Sequence, residues 1–206
     1  MVKFPQVGTI LLALGGNSPG AWGPAGESLA RACRELEAAG VRILRSSGLY
    51  LTEPVGGGRQ PPYLNAVIMV AAKPAPSSLL RLVKQIERRA GRRVGARTRP
   101  LDLDILSYGS WRLNWPALRR ERGRLILPHP HLHTRTFVLV PLLEVAPHWR
   151  HPVLGRTART LLAKLAPKAR SGIHRFGTRP LQKATDAAAR PLAPWSAGTA
   201  KRRPTN

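Results

Sequence analysis

Acidic residues are few in this 206-residue chain: ten Asp and Glu stand against 34 Lys and Arg, a formal net charge of +24. Such a protein attracts anions, whether nucleotide, phosphate, nucleic acid or an anionic membrane surface, and composition does not choose among them. Arg far outnumbers Lys, and with the many Ala, Gly and Pro residues this is also the mark of a coding bias that raises charge without function. Cysteine is scarcer still. The single Cys33 cannot close an internal disulfide, which argues against a stapled secreted domain and makes a reducing, cytoplasmic setting the expectation. Its place in a helical-looking run, residues 27–39, predicts a small core residue. No apolar run approaches the ~20 residues of a membrane helix, so no membrane partner is expected. The apolar stretch 7–14 breaks at Gly15-Gly16-Asn17 without a cleavage site and reads as a first strand. No internal repeat stands out. The Gly15-Gly16 turn lacks the Lys-Ser/Thr ending of a P-loop and the spacing of a dinucleotide fingerprint, so as an anion cradle it is a weak signal.

What is there is an ordered series of short elements. A continuous apolar run at 9–14 predicts a buried strand, followed by a turn and a helix over about 26–39 that stops at Gly40. Residues 41–51 alternate and predict a second strand; 52–62, rich in Gly and Pro, predict a loop folding over a ligand pocket. Residues 63–72 predict a third strand, antiparallel to the second, and Pro76 opens a helix that runs to Gly91. A basic loop, 92–99, then leads into a fourth strand. Strand, helix, strand, strand, helix, strand is the ferredoxin-like order: an α+β sandwich with helices on one face of a largely antiparallel sheet. Beyond it, 112–122 predicts an exposed insertion, 137–143 a short buried helix and 157–165 a last amphipathic one. The expected division is a domain over 1–167 and a disordered basic tail over 168–206.

The chemistry concentrates in Arg99-Pro100-Leu101-Asp102-Leu103-Asp104-Ile105-Leu106. In an extended chain Asp102 and Asp104 project to one side, and Leu101, Leu103 and Ile105 to the other. The two carboxylates then stand roughly 6.5 Å apart at Cα, close enough to share a pair of Mg²⁺ ions at ~4 Å separation. For a lone D-x-D a solvated polar face is the better explanation. The scarcity of acids and the crowding by Arg97 and Arg99 favour bound polyphosphate with metal, over which Arg92, Arg97 and Arg99 could close. His129, His131 and His133 alternate as a transition-metal site would, but Pro128 and Pro130 argue against that geometry, and one phosphate-contacting histidine fits better. Tyr63 and Asn65 share a strand face, and Phe137 could supply a second aromatic wall; an Asn amide matches the edge of an amide-containing heterocycle.

Six segments, in order, resemble the 6-hydroxymethyl-7,8-dihydropterin pyrophosphokinases of folate biosynthesis: Leu14-Gly15-Gly16-Asn17, Tyr50-Leu51-Thr52-Glu53-Pro54-Val55-Gly56, Tyr63-Leu64-Asn65-Ala66, Ile86-Glu87-Arg88-Arg89-Ala90-Gly91-Arg92, Arg99-Pro100-Leu101-Asp102-Leu103-Asp104, and Leu127-Pro128-His129-Pro130 running on to Arg135-Thr136-Phe137. The resemblance implies transfer of the β,γ-diphosphate of ATP to the pterin's hydroxymethyl group, releasing AMP. It implies catalytic roles for Arg92, Arg99, Asp102 and Asp104, the two aspartates holding two Mg²⁺. It implies ATP contacts from Glu87, Arg92, Arg99, Ile105, Arg124, His129 and Arg135, and a pterin pocket from Thr52, Val55, Tyr63, Asn65 and Phe137. ATP and 6-hydroxymethyl-7,8-dihydropterin are then the partners, nucleic acid is not required, and a monomer is expected. Where many members carry Trp-Gly-Pro before the loop arginine, this chain has Ala96-Arg97-Thr98, which makes Arg97 a candidate substitute for the missing tryptophan. Two rivals from other classes stand beside this reading: a nucleic-acid-binding protein using its charge on phosphate backbones, and a histidine-rich metallohydrolase.

Overall fold

The structure, a computed structural model, describes residues 9–54, 60–72, 74–93, 95–96, 98–115, 124–167 and 172–176. Its centre is β1 (Ile10–Gly16), whose Ile10, Leu11, Leu12 and Leu14 are all buried. A strand that is apolar at successive positions must be covered on both faces, and this one is. Towards one face turn α1 (Ala25–Ala38) and α2 (Pro76–Arg89), which bury Leu29, Ala32, Cys33 and Leu36, and Leu79, Val83 and Ile86, against Ile10, Leu12 and Leu14. Both sets recur every three or four residues, the spacing of a single helix stripe. Past their ends lie Gly40 and Gly91, at φ 81 and 93, a left-handed conformation that glycine adopts without penalty. On the other face α3 (Thr136–Val145) and α4 (Ala158–Ala163) pack Val138, Leu139, Leu142 and Leu161 on Leu11, Val67 and Leu106. The expectation of helices on one face thus holds for α1 and α2, while the second layer corrects it.

The sheet is six-stranded, all pairs antiparallel, with the order β5 (Asp102–Tyr108), β1, β4 (Tyr63–Ala71), β3 (Leu49–Thr52) and β6 (Ile173–Phe176), and with β2 (Arg42–Ser46) also paired to β4. β4 (Tyr63–Ala71) and β5 (Asp102–Tyr108) flank β1 as the ferredoxin-like order requires. The single strand expected over 41–51 is two, β2 (Arg42–Ser46) and β3 (Leu49–Thr52). Ser47 and Gly48 interrupt it: Ser47 Oγ accepts from Val67 N at 3.0 Å, and Gly48 N donates to Glu144 Oε2 at 2.8 Å. A second correction concerns the tail. Residues Ile173–Phe176 form β6, which pairs along β3 and makes the sheet edge. Among the described residues no helix is long and apolar enough to cross a membrane.

Candidate active site

Cross-strand partners share a face, so register decides which side chains meet. Asp102 of β5 lies opposite Gly15 of β1, Gly15 opposite Asn65 of β4, and Asn65 opposite Tyr50 of β3. Thr52 lies opposite Tyr63 on the same face. The α3–α4 layer covers this face over Leu11, Val67 and Leu106, and the polar row lies beyond that apolar part. Glycine is required where the row crosses β1. A Cβ on Gly15 would stand 3.1 Å from Asn65 Oδ1, and one on Gly16 only 2.8 Å from Pro100 O.

Asp102 lies between two guanidinium groups. Arg92 donates to its Oδ1 and Arg99 to its Oδ2, the latter at 2.5 Å. Burial pushes the carboxyl up, but Arg92 and Arg99 outweigh it and hold Asp102 down at about 2. Arg92 is raised in turn: burial works against its charge, and Asp102 and Glu87 more than restore it. Asp104 has two nitrogen groups nearby without a close bond, His129 Nε2 at 3.7 Å and Arg135 Nη1 at 3.9 Å from its Oδ2. His129 is buried, and its Nδ1 accepts from His131 N at 3.2 Å, which turns Nε2 to the aspartate. Arg135 also lies over the Phe137 ring, 5.5 Å from its centroid.

The heterocycle side is built from β3 and β4. Asn65, buried, donates from Nδ2 to Thr52 Oγ1 at 2.8 Å and to Tyr63 O at 3.3 Å. Phe137 stands in the first turn of α3, which packs against β4.

Residues 11–147 match the family 7,8-dihydro-6-hydroxymethylpterin-pyrophosphokinase (HPPK). The chain is 36% identical over 168 residues to the 2-amino-4-hydroxy-6-hydroxymethyldihydropteridine pyrophosphokinase of Synechocystis sp., covering 79% of each chain. It is 39% identical over 127 residues to the protein of that name from Pseudomonas aeruginosa, covering 60% of this chain and 72% of that one. Among solved structures it resembles Plasmodium falciparum HPPK-DHPS, with a TM-score of 0.57 at 16% identity, covering 79% of this chain and 45% of that longer one. The chain belongs to the HPPK family. The likeness to the Plasmodium structure speaks for the fold, and the matched segment 11–147 contains the whole polar row from Asp102 to Tyr50.

Against that family's expected site, the structure brings Arg92, Arg99, Asp102, Asp104, His129 and Arg135 together at one end of the sheet, with Thr52, Tyr63 and Asn65 beside them. Two hard carboxylates on one face, one of them 30% exposed, suit Mg²⁺, which takes one or two carboxylates and completes its shell from phosphate and water. Ile105 is different: its side chain is buried in the α1–α2 core, opposite the aspartates, as strand alternation demands. Glu87 too is buried, 2% exposed, and accepts from Leu103 N at 2.7 Å. Arg124 is exposed and donates to Asn114 Oδ1 at 2.6 Å. Val55 and Arg97 lie outside the described residues. His133 leaves the other two histidines and packs with His151, ring centroids 5.8 Å apart, beside Trp115. The metallohydrolase reading needs the three histidines together, and the structure parts His133 from His129 and His131; among the described residues no group of three or more His, Cys, Asp or Glu is placed to hold a metal ion.

Two residues were not foreseen. Asn17 is buried and clips two loops, accepting from Arg99 N at 2.7 Å and donating to Arg99 O at 2.9 Å and Pro61 O at 3.3 Å. The signal was present in the Asn that ends the Gly15-Gly16 turn, a residue type whose amide ties loops. Lys84 bonds both oxygens of Glu87 at 2.9 Å, and nothing local marked it.

Proposed function

We infer that this chain is a pyrophosphokinase of folate biosynthesis, moving the terminal diphosphate of ATP to the hydroxymethyl group of 6-hydroxymethyl-7,8-dihydropterin. One observation carries the reading: within the family-matched segment, the arginine-flanked aspartate pair and the Asn65–Thr52 pocket lie on one sheet face, so phosphate and heterocycle binding groups adjoin. The hydroxymethyl oxygen forms a bond to the β-phosphorus, the bond between that phosphorus and the oxygen bridging to the α-phosphate breaks, and AMP leaves.

Such a transfer needs positioning and charge neutralisation more than a strong base. Asp102 and Asp104 would hold two Mg²⁺ ions, which neutralise phosphate charge and acidify the attacking hydroxyl. Arg92, Arg99, Arg135 and His129 surround the phosphate chain with donors, in a recess where charge-assisted bonds gain strength. Asn65 reads the pterin edge with its Oδ1, the amide being held in place by the bonds from its Nδ2 to the Thr52 hydroxyl and to Tyr63 O. Tyr63 and Phe137 would complete that pocket, with Val55 assigned to it by the family resemblance alone, and Arg124 would add an ATP contact. Asp104 Oδ2, less enclosed than Asp102, is the acceptor for the hydroxyl proton. We expect it to act as a monomer, and the lone buried Cys33 supports a reducing, cytoplasmic setting.

The test is to mix the protein with MgATP and 6-hydroxymethyl-7,8-dihydropterin and identify the nucleotide product. AMP is expected; ADP would mean single-phosphoryl transfer and overturn the mechanism. Tight, steeply salt-dependent binding to mixed DNA without AMP formation would instead favour a nucleic-acid role.

A further inference from the structure

The polar row continues past the family-matched residues. Register carries it from Asp102, Gly15, Asn65 and Tyr50 one strand further, to Arg175 of β6, and carries the pair Tyr63 and Thr52 on to Ile173. At this outer end a second polar cluster forms around Glu144 of α3. The hydroxyl of the buried Tyr50 donates to Glu144 Oε1, Gly48 N donates to Oε2 at 2.8 Å, and Arg175 Nη2 stands 3.7 Å from Oε1. Arg175 lies across Gly48, where a Cβ would come 3.0 Å from its Nε, so the absent side chain leaves the guanidinium its seat.

Glu144 stands in the last turn of α3 and Phe137 in its first. Seven residues make two turns, about 10 Å of rise, so both side chains leave the same side of the helix. Val138, Leu139 and Leu142 hold α3 to the sheet by apolar contact, which has no direction of its own. Glu144 adds directional bonds, and adds them to β3, the strand that carries Thr52. A flat heterocycle needs a slot one ring thick, so a small tilt of α3 is felt there. Asp102, Asp104, Arg92 and Arg99 belong to β5 and the loop before it, which Glu144 does not touch. We propose that Glu144 is a positioning residue that fastens α3 to β3 through Tyr50 and Gly48, with Arg175 as its charge partner, and so sets the gap between Phe137 and the Asn65–Thr52 face. The inference rests on the pyrophosphokinase reading for the identity of the ligand in that gap.

Equilibrium binding to the full chain tests it, with 6-hydroxymethyl-7,8-dihydropterin titrated in the presence of Mg²⁺ and saturating α,β-methylene-ATP, and the nucleotide titrated alone. In Glu144→Ala the pterin Kd is expected to rise roughly tenfold, as for the loss of bonds to a charged group, while the nucleotide Kd changes by less than about twofold. Glu144→Gln, whose Oε1 can accept from Gly48 N while its Nε2 donates to the Tyr50 oxygen, should recover most of the pterin affinity. Arg175→Glu, which sets a like charge against Glu144, should weaken pterin binding in the same direction by a smaller factor. An unaltered pterin Kd in Glu144→Ala, or pterin and nucleotide Kd values that rise in parallel, would overturn the proposal. Should Glu144→Ala fail to fold, Tyr50→Phe, which leaves the backbone bonds in place, carries the same comparison. AMP release by the wild type with an unaltered pterin Kd in the variants sinks this inference alone; a wild-type chain that binds no pterin sinks the pyrophosphokinase reading and this inference with it.

Discussion

Asp102 and Asp104 leave the same face of β5 two residues apart, yet one is held between two guanidinium groups and the other faces His129 and Arg135 at 3.7 and 3.9 Å. Their side chains are 18% and 30% exposed. The difference comes from the elements that reach each of them. Arg92 arrives from the turn after α2 and Arg99 from the approach to β5, both at Asp102; His129 and Arg135 arrive from the segment before α3, at Asp104. Alternation along a strand makes two carboxylates neighbours, and the packing of distant segments makes one a paired charge and the other an open acceptor.

The comparison breaks most visibly in turnover. Asp102→Ala and Asp104→Ala should each lower AMP release about a hundredfold or more, since each removes charge stabilisation at the transferring phosphates; near-normal rates in either variant would remove that aspartate from the reaction. Stability separates the two, once a third group has been subtracted. His151, 1% exposed, accepts at Nδ1 from Val153 N and Leu154 N, and burial lowers it to about 4 from 6.5. A lowered histidine binds its proton more readily in the unfolded chain, so stability falls as pH drops from 6.5 through 4, by up to about 3 kcal/mol. Urea midpoints in His151→Asn, whose Oδ1 can take over the two N–H bonds, should show that loss removed from this window.

Asp102 acts lower on the scale. Held at about 2 against an ordinary 3.8, it contributes about 2 kcal/mol, present above its ordinary value and lost as pH falls towards 2. Asp102→Asn should therefore lower urea stability by about that amount at neutral pH, while Asp104→Asn leaves it nearly unchanged; equal losses would erase the distinction between the two. The smallest effect is expected from Asn17→Ala, about 1 kcal/mol for the lost loop bonds, accompanied by a raised KM for ATP as the Arg99 segment loosens.

Much of this was legible in local sequence. The apolar run of β1, the helical stripes of α1 and α2, their bounding Pro and Gly residues, and the shared face of Tyr63 and Asn65 all follow from periodicities of two or about 3.6 residues. Alternation also placed Ile105 opposite the aspartates, where its side chain is buried in the core. The split of residues 41–51 was not legible, because it depends on Glu144 accepting from Gly48 across 96 residues. Nor was β6, four residues of mixed character that become a strand through the free edge of β3. Glu87 read as a nucleotide contact by family likeness; its burial against Leu103 N depends on how α2 lies along β5.

By itself, then, the sequence determined β1, α1, β4, α2 and β5, the facing of Asp102 with Asp104, and the family, because periodicity and motif are local and survive without knowledge of packing. Only the tertiary structure decided that Arg92 is gripped from behind by Glu87, that Asn17 ties the Arg99 segment to the Pro61 loop, and that Asp102 is charge-paired while Asp104 stays open. Those choices depend on strand register and on contacts between segments far apart in the chain, where one step of register turns every side chain to the other face.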